Sequence, residues 1–357
     1  MSFKAFERPS LQLGILAILG VVVVSTSHAE DPAAAKPASA QACVGLASNA
    51  DRLACYDALF MVPEAEKPLV VAQRKAVEDP KIDPNVSLLD RRWELSPESK
   101  LGTWNIRAHQ PVYLLPAYWT SDKNETPSSP NPENTVSAED AQDLKSIEAK
   151  FQISFKTKAA ENIFGDNGDL WLGYTQSSRW QVYNEDESRP FRETNYEPEV
   201  SLLFRTNYNL LGLNGRLLGL TFNHQSNGRA DPLSRSWNRI IMNVGLEREN
   251  FALMLRPWYR IEENASDDNN ADIDDYIGRG DLTAFYRWKD HDFSLMLRHS
   301  LKGGDDSHGA AQFDWAFPIS GKLRGHFQLF DGYGESLIDY NHRATYVGLG
   351  VSLMNWY

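Results

Sequence analysis

The sequence predicts an all-β fold: a twelve-stranded antiparallel transmembrane β-barrel with a short N-terminal extension. Three observations carry this. From about Asn105 onward, extended segments of 8–13 residues recur between polar, Gly-, Asn- or Asp-rich connections, which is the pattern of an antiparallel meander. Several of these segments alternate apolar with small or polar residues, so that one face is greasy. Beyond its first thirty residues the chain has no long apolar run, and its mean hydropathy of −0.46 is compatible with a barrel whose residues face lipid and lumen in turn. A soluble β-sandwich shares the period-two pattern. Segments of about ten residues are long for a sandwich strand and suit a tilted membrane span.

The start of the chain reads as a signal peptide over residues 1–29. An apolar run from Leu11 to Val24 follows Lys4 and Arg8 and ends in Ser25-Thr26-Ser27-His28-Ala29, with small residues at −3 and −1 of a cleavage after Ala29. Roughly 14 apolar residues fall short of the ~20 that a spanning helix needs. Residues 30–42, rich in Ala, Pro and Ser, read as a spacer. In Ala42 to Phe60 the spacing of Val44, Leu46, Leu53, Tyr56 and Leu59 is helical. Cys43 and Cys55 are the only cysteines, and export into an oxidising compartment favours a disulfide between them over two free thiols. From Glu64 to Lys100 charges and prolines recur without alternation. Residues 30–104 are therefore expected to form a periplasmic extension with no core of its own, and residues 105–357 the barrel.

Strands are expected near 107–118, 149–158, 168–182, 197–207, 214–226, 236–247, 250–261, 280–289, 292–301, 309–318, 322–331 and 344–355, an even number as in bacterial outer-membrane barrels. Leu170, Leu172 and Tyr174 oppose Trp171, Gly173 and Thr175; Phe251, Leu253 and Leu255 oppose Ala252, Met254 and Arg256. In the last strand Val347, Leu349, Val351, Leu353 and the terminal Tyr357 share one face, with Gly348, Gly350 and Ser352 on the other. Ten Trp, 14 Tyr and 16 Phe are enough for aromatic girdles at two interfaces. The net charge of −12 argues against nucleic-acid partners, because no basic stripe is available to neutralise phosphates.

The chemistry is expected in residues 223–239. His224 and Ser226 are two positions apart in an extended segment, so they share a face with Cα atoms roughly 6.5–7 Å apart. That face also carries Leu218, Leu220 and Phe222, and Asn238 opens the next strand on the face of Ile240, Met242, Val244 and Leu246. Unpartnered polar groups on a greasy face are costly, so a mutually hydrogen-bonded cluster explains the three better than separate accidents do. Such a cluster reads as a hydrolase triad: His224 takes the Ser226 proton, Ser226 attacks an ester carbonyl, and Asn238 orients the ring. Asn brings no full charge to offset an imidazolium, which leaves a role for a cation near the oxyanion. The 227–237 connection, with Asp231, Ser234 and Ser236, and the Asp267-Asp268-Asn269-Asn270 loop supply hard oxygens suited to calcium, without EF-hand spacing. Gln176, in register with Leu170, Leu172 and Tyr174, is a further amide on the apolar face, where a partner across a subunit interface would satisfy it.

Asn223-His224-Gln225-Ser226-Asn227-Gly228-Arg229, then Asp231-Pro232 and Ser234-Arg235-Ser236-Trp237-Asn238-Arg239, resemble the active-site region of the outer membrane phospholipase A family. The likeness extends to Tyr174-Thr175-Gln176, to residues 190–198, to Pro257-Trp258-Tyr259 and to residues 332–341, and covers roughly residues 105–357. The resemblance implies an outer-membrane enzyme that hydrolyses acyl esters at both positions of membrane phospholipids, and of lysophospholipids, with Ca2+ as cofactor and a homodimer as the active form. It implies Ser226 as nucleophile, His224 as base and Asn238 as orienting group. Calcium would be held by the Arg229 carbonyl, the Ser234 side chain and Asp268, and across the dimer by the partner's Ser188. The loop carrying Asp268 is longer here than the family pattern suggests. The competing readings are a non-catalytic channel or structural barrel, and a soluble calcium-binding sandwich.

Overall fold

The computed structural model describes residues 40–46, 48–60, 86–264 and 266–353, in two units divided after Pro80. The expected signal peptide and Tyr357 lie outside the described residues. In the first unit, helices α1 (Ala40–Val44) and α2 (Asn49–Phe60) are joined by a disulfide between Cys43 and Cys55, whose Cα atoms are 5.6 Å apart.

The second unit is the expected antiparallel barrel. Its strands are β1 (Ile106–Ala108), β2 (Tyr113–Thr120), β3 (Ile147–Ala160), β4 (Asp169–Trp180), β5 (Phe191–Leu210), β6 (Leu213–Ser226), β7 (Ser236–Arg248), β8 (Phe251–Ile261), β9 (Gly280–Trp288), β10 (His291–His299), β11 (Gly309–Ser320), β12 (Leu323–Tyr333) and β13 (Arg343–Ser352). Each of β2 to β13 pairs with its neighbours in sequence, and β13 returns to β2, so the ring of twelve closes without an edge. β1 lies along β3 as the beginning of the first stave, so the strand expected at 107–118 is present in two pieces. The interruption contains Pro111, which has no N–H to donate to a ladder, and His109, which turns inward to pair with Glu199.

β5 begins six residues before the start expected for it. Between Phe191 and Leu203 its inward positions include Glu193, Asn195, Glu197, Glu199 and Ser201, all buried or half-buried. Polar residues on both faces erase the hydrophobic period that normally marks a strand. Elsewhere the alternation survives: Leu218, Leu220 and Phe222 point outward from β6, and Ile240 and Met242 from β7, whereas Leu217, Thr221, Ile241 and Asn243 are buried.

The two ends of the barrel differ. At one end β5–β6, β7–β8, β9–β10 and β11–β12 are joined by two-residue turns, with Leu211 and Gly212 both at positive φ (54° and 85°) as a type I′ hairpin requires. At the other end the connections are long: 121–146, 181–190, 227–235, 262–279, 300–308 and 334–342. Short periplasmic turns and long extracellular loops are the outer-membrane pattern, which places residues 227–235 outside the cell.

A short helix, α3 (Leu88–Trp93), enters the barrel near the short-turn end. Ser87 caps it by accepting from the Asp90 N–H, and the Asp90 carboxylate accepts from the backbone N–H groups of Leu95 and Ser96, both at 2.8 Å. Leu88, Leu89, Trp93 and Leu95 form one buried cluster with Trp171, Leu203, Leu217, Ala252, Met254 and Phe285. The segment expected to pack no core of its own thus contributes to the barrel's core, and residues 86–104 belong to the barrel unit. Its four apolar residues are too few to pack on one another but sufficient to stopper a lumen. Further up, the lumen is crossed by buried ion pairs, including Lys150–Glu335 at 2.6 Å and Arg179–Glu335 at 2.9 Å, around a cavity of about 330 Å³. The passive-channel reading thus meets a lumen that the described residues largely fill.

Candidate active site

The triad candidates sit where β6 and β7 reach the long-loop end. In the β6–β7 ladder His224 is directly opposite Asn238, and Ser226 directly opposite Ser236. Period two sends His224, Ser226 and Asn238 outward, and all three are half-buried, one step above the exposed Phe222 and Ile240. His224 Nδ1 and Asn238 Oδ1 are 2.9 Å apart. An amide oxygen only accepts, so the ring proton is on Nδ1 and the Nε2 lone pair is free to act as a base. Among the described residues the Ser226 hydroxyl makes no hydrogen bond. Serine–histidine contacts in ligand-free hydrolases are commonly long and tighten when substrate binds.

The inward residues interleaved with the triad hold this stretch of wall. Gln225 pairs with Trp237 across the ladder and accepts from its Nε1 at 2.8 Å. Asn223, fully buried, accepts from Arg239 Nε and Nη2 at 3.1 and 2.6 Å and donates to Glu197 at 2.9 Å. Arg239 also lies over the Trp237 ring, 4.0 Å from its centroid. Burial alone would disfavour such charges, but these are paired and hydrogen-bonded on several sides.

The 227–235 connection is folded by one side chain that the sequence reading passed over. Asn227, buried, accepts through Oδ1 from the backbone N–H of Arg235 at 3.0 Å and Arg229 at 3.3 Å, and its amide donates to the Leu233 carbonyl at 2.7 Å. Its place directly after a strand, before Gly228 at φ +62°, is the signal for a side chain that replaces backbone partners in a turn. A second residue that was not anticipated is Glu263, which accepts from Asn238 Nδ2 at 3.0 Å.

The four residues suggested for calcium divide. The Arg229 carbonyl accepts no hydrogen bond among the described residues, and the Ser234 hydroxyl accepts one, from Asn269 at 2.7 Å. Both are hard oxygens on the loop that follows Ser226, and they fit an oxygen-seeking cation. Asp268 is also engaged within the chain: both its oxygens receive Arg260 Nη2, each at 2.7 Å, and Oδ1 also accepts from the Asn270 N–H. Among the described residues no group of three His, Cys, Asp or Glu side chains is placed to hold a metal. Ser188 is not beside Ser234 through any hydrogen bond of its own chain. It lies exposed in the 181–190 connection at φ 58°, followed by Arg189 at φ 54°. Two successive non-glycine residues in the left-handed region store backbone strain of about 1–3 kcal/mol each, as residues presented at functional sites often do. Gln176 receives the Tyr174 hydroxyl at 3.1 Å, which satisfies its oxygen and leaves its amide hydrogens facing outward.

Comparison with known proteins shows the family to which the chain belongs. The family model described as phospholipase A1 matches residues 89–353. The chain is 37% identical over 347 residues to a putative phospholipase A1 of Neisseria meningitidis serogroup B, covering 87% of this chain and 89% of the relative. Among solved structures, outer membrane phospholipase A from Escherichia coli is 36% identical with a TM-score of 0.63, covering 71% of this chain and 95% of that one. The Salmonella typhi outer membrane phospholipase, solved as a dimer with bound calcium, is 35% identical with a TM-score of 0.63, covering 71% and 94%.

Proposed function

From the premise that this chain belongs to the phospholipase A1 family of outer-membrane β-barrels, we propose that it hydrolyses acyl esters at both positions of membrane phospholipids, and of lysophospholipids, as a calcium-dependent homodimer. The observation that carries the reading is the 2.9 Å contact between His224 Nδ1 and Asn238 Oδ1 beside Ser226, on a face of the barrel that also bears Phe222 and Ile240. A nucleophile on that face meets acyl chains rather than water.

His224 Nε2 takes the proton of Ser226 Oγ as the oxygen bonds to the ester carbonyl carbon, giving a tetrahedral oxyanion. The imidazolium then returns that proton to the departing alkoxide as the carbon–oxygen bond breaks. Water, deprotonated by the same nitrogen, releases the fatty acid from Ser226. The bulk of Trp237 behind the strand, locked by Gln225 and Arg239, keeps the wall from yielding as the substrate packs against it. Bound calcium supplies positive charge for the developing oxyanion. The Arg229 carbonyl and Ser234 hydroxyl would hold it, with the partner's Ser188 completing the shell. Asp268 serves this site indirectly, by fixing the loop whose Asn269 bonds Ser234.

The test is ester release from phospholipid in mixed micelles by wild type and Ser226→Ala, with calcium or with chelator. Hydrolysis should require both Ser226 and calcium. Full activity of Ser226→Ala, or activity unchanged by chelator, would overturn the reading.

A further inference from the structure

The structure assigns Glu263 as a positioning residue that decides which way the Asn238 amide faces; the assignment rests on the hydrolase reading above. β8 ends at Ile261, the register partner of Asn238, and two residues further on the chain presents Glu263 on the same face. Its carboxylate accepts from Asn238 Nδ2 at 3.0 Å, while Asn238 Oδ1 is 2.9 Å from His224 Nδ1. Glu263 is half-buried, and this is the one hydrogen bond its side chain makes among the described residues.

An asparagine amide rotated by a half-turn has the same shape with nitrogen and oxygen exchanged. Turned so that its NH2 faced the ring, Asn238 would need an acceptor at Nδ1. The imidazole proton would then sit on Nε2, and no lone pair would remain for the Ser226 proton. A carboxylate cannot donate, so Glu263 rejects that rotamer and admits only the one that leaves Nε2 free. The same carboxylate places a negative charge two hydrogen bonds from the ring, where it offsets the imidazolium formed during attack, a role the neutral Asn238 cannot fill.

A double-mutant comparison with calcium present tests this, reading kcat, KM and thermal melting. Glu263→Gln can donate as well as accept, so it tolerates either rotamer. Its kcat should fall about fivefold, with KM changed less than twofold and melting unchanged. Asn238→Asp sets two carboxylates against each other; there, adding Glu263→Gln supplies a donor, and kcat should rise about fivefold over Asn238→Asp alone. The sign of the same substitution thus reverses with the background, which a merely structural role does not produce. A Glu263→Gln kcat equal to wild type, or a fall in both backgrounds, overturns the assignment. Absence of hydrolysis in wild type, or full hydrolysis by Ser226→Ala, instead removes the reading beneath it and is scored in the same assay.

Discussion

The two faces of the β6–β7 ladder are finished to very different degrees. On the inner face, Asn223 and Arg239 share two hydrogen bonds, Arg239 also pairs with Glu197 at 3.0 Å, and Gln225 is closed against Trp237. On the outer face the polar side chains form one thin line, from Glu263 through Asn238 to His224, and stop before Ser226. The difference teaches that a catalytic group can be unsupported on the side it works from because its neighbours on the same strand are over-supported on the other side. Alternation makes this possible: each residue that positions the wall is one step along the backbone from a residue proposed for the chemistry.

The most severe way to break the comparison is to remove chemistry from the outer face. His224→Ala should lower kcat by roughly 10⁶-fold, the loss that follows removal of the base from a hydrolase triad, while the denaturant midpoint of the folded barrel stays within the equivalent of about 0.5 kcal/mol. The inner face should answer in the opposite way. Arg239→Met leaves the buried Asn223 oxygen and Glu197 without their cation and should destabilise the barrel by about 3–5 kcal/mol, with any loss of activity tracking the folded fraction. If Arg239→Met reduced kcat at full stability, or His224→Ala unfolded the protein, the division of labour between the faces would be wrong.

The same contrast explains what was legible in the sequence. Strand number and the outward run Leu218, Leu220, Phe222 could be read because lipid demands apolar residues at every second position. The residues proposed as the triad could be picked out because polar residues on that run stand out. The start of β5, residues 191–196, could not, since Glu193 and Asn195 look like a loop until their partners from distant strands are known. α3 was missed for a related reason: Leu88, Leu89 and Trp93 find their core inside the barrel, at long range. Asp268 was suggested for calcium from a resemblance, and its carboxylate is committed to Arg260, a pairing that no spacing in the sequence reveals. Glu263 lies just beyond a strand end, where parity still holds but the hydrophobic pattern that announces it has stopped.

A milder change sharpens how far the outer face depends on a second subunit. Ser188→Ala removes one hydroxyl from an exposed turn and no described hydrogen bond of its side chain, so the isolated barrel should melt as wild type does. If the partner's Ser188 completes the calcium shell, the calcium concentration for half-maximal hydrolysis should rise about tenfold, the equivalent of ~1.4 kcal/mol. A calcium titration superimposable on wild type would show that each barrel holds the ion alone.

The smallest effect is expected from acid, and it belongs to the inner side of the long-loop end. Glu335 accepts from Lys150 at 2.6 Å, Arg179 at 2.9 Å and Tyr118 at 2.9 Å; Asp339 accepts from Arg192 at 2.8 Å and Ser336 at 2.6 Å. Burial pushes both carboxyls up, but the Arg179 and Lys150 cations beside Glu335, and Arg192 with the Ser336 hydroxyl beside Asp339, outweigh it and hold both below the ordinary carboxylate range. A group whose folded value is depressed contributes stability that is fully present above its unfolded value and is lost as pH falls toward the folded one. The contribution of these two carboxylates should therefore be flat from pH 7 to about 5 and decline below about pH 4, by about 1 kcal/mol per carboxylate per pH unit. Near-ultraviolet circular dichroism in micelles reads this directly. Asp339→Asn should make the acid decline shallower while lowering stability at pH 7, since the Arg192 cation then loses one of its two carboxylate partners. An acid decline as steep in Asp339→Asn as in wild type would place the titrating groups elsewhere in the barrel.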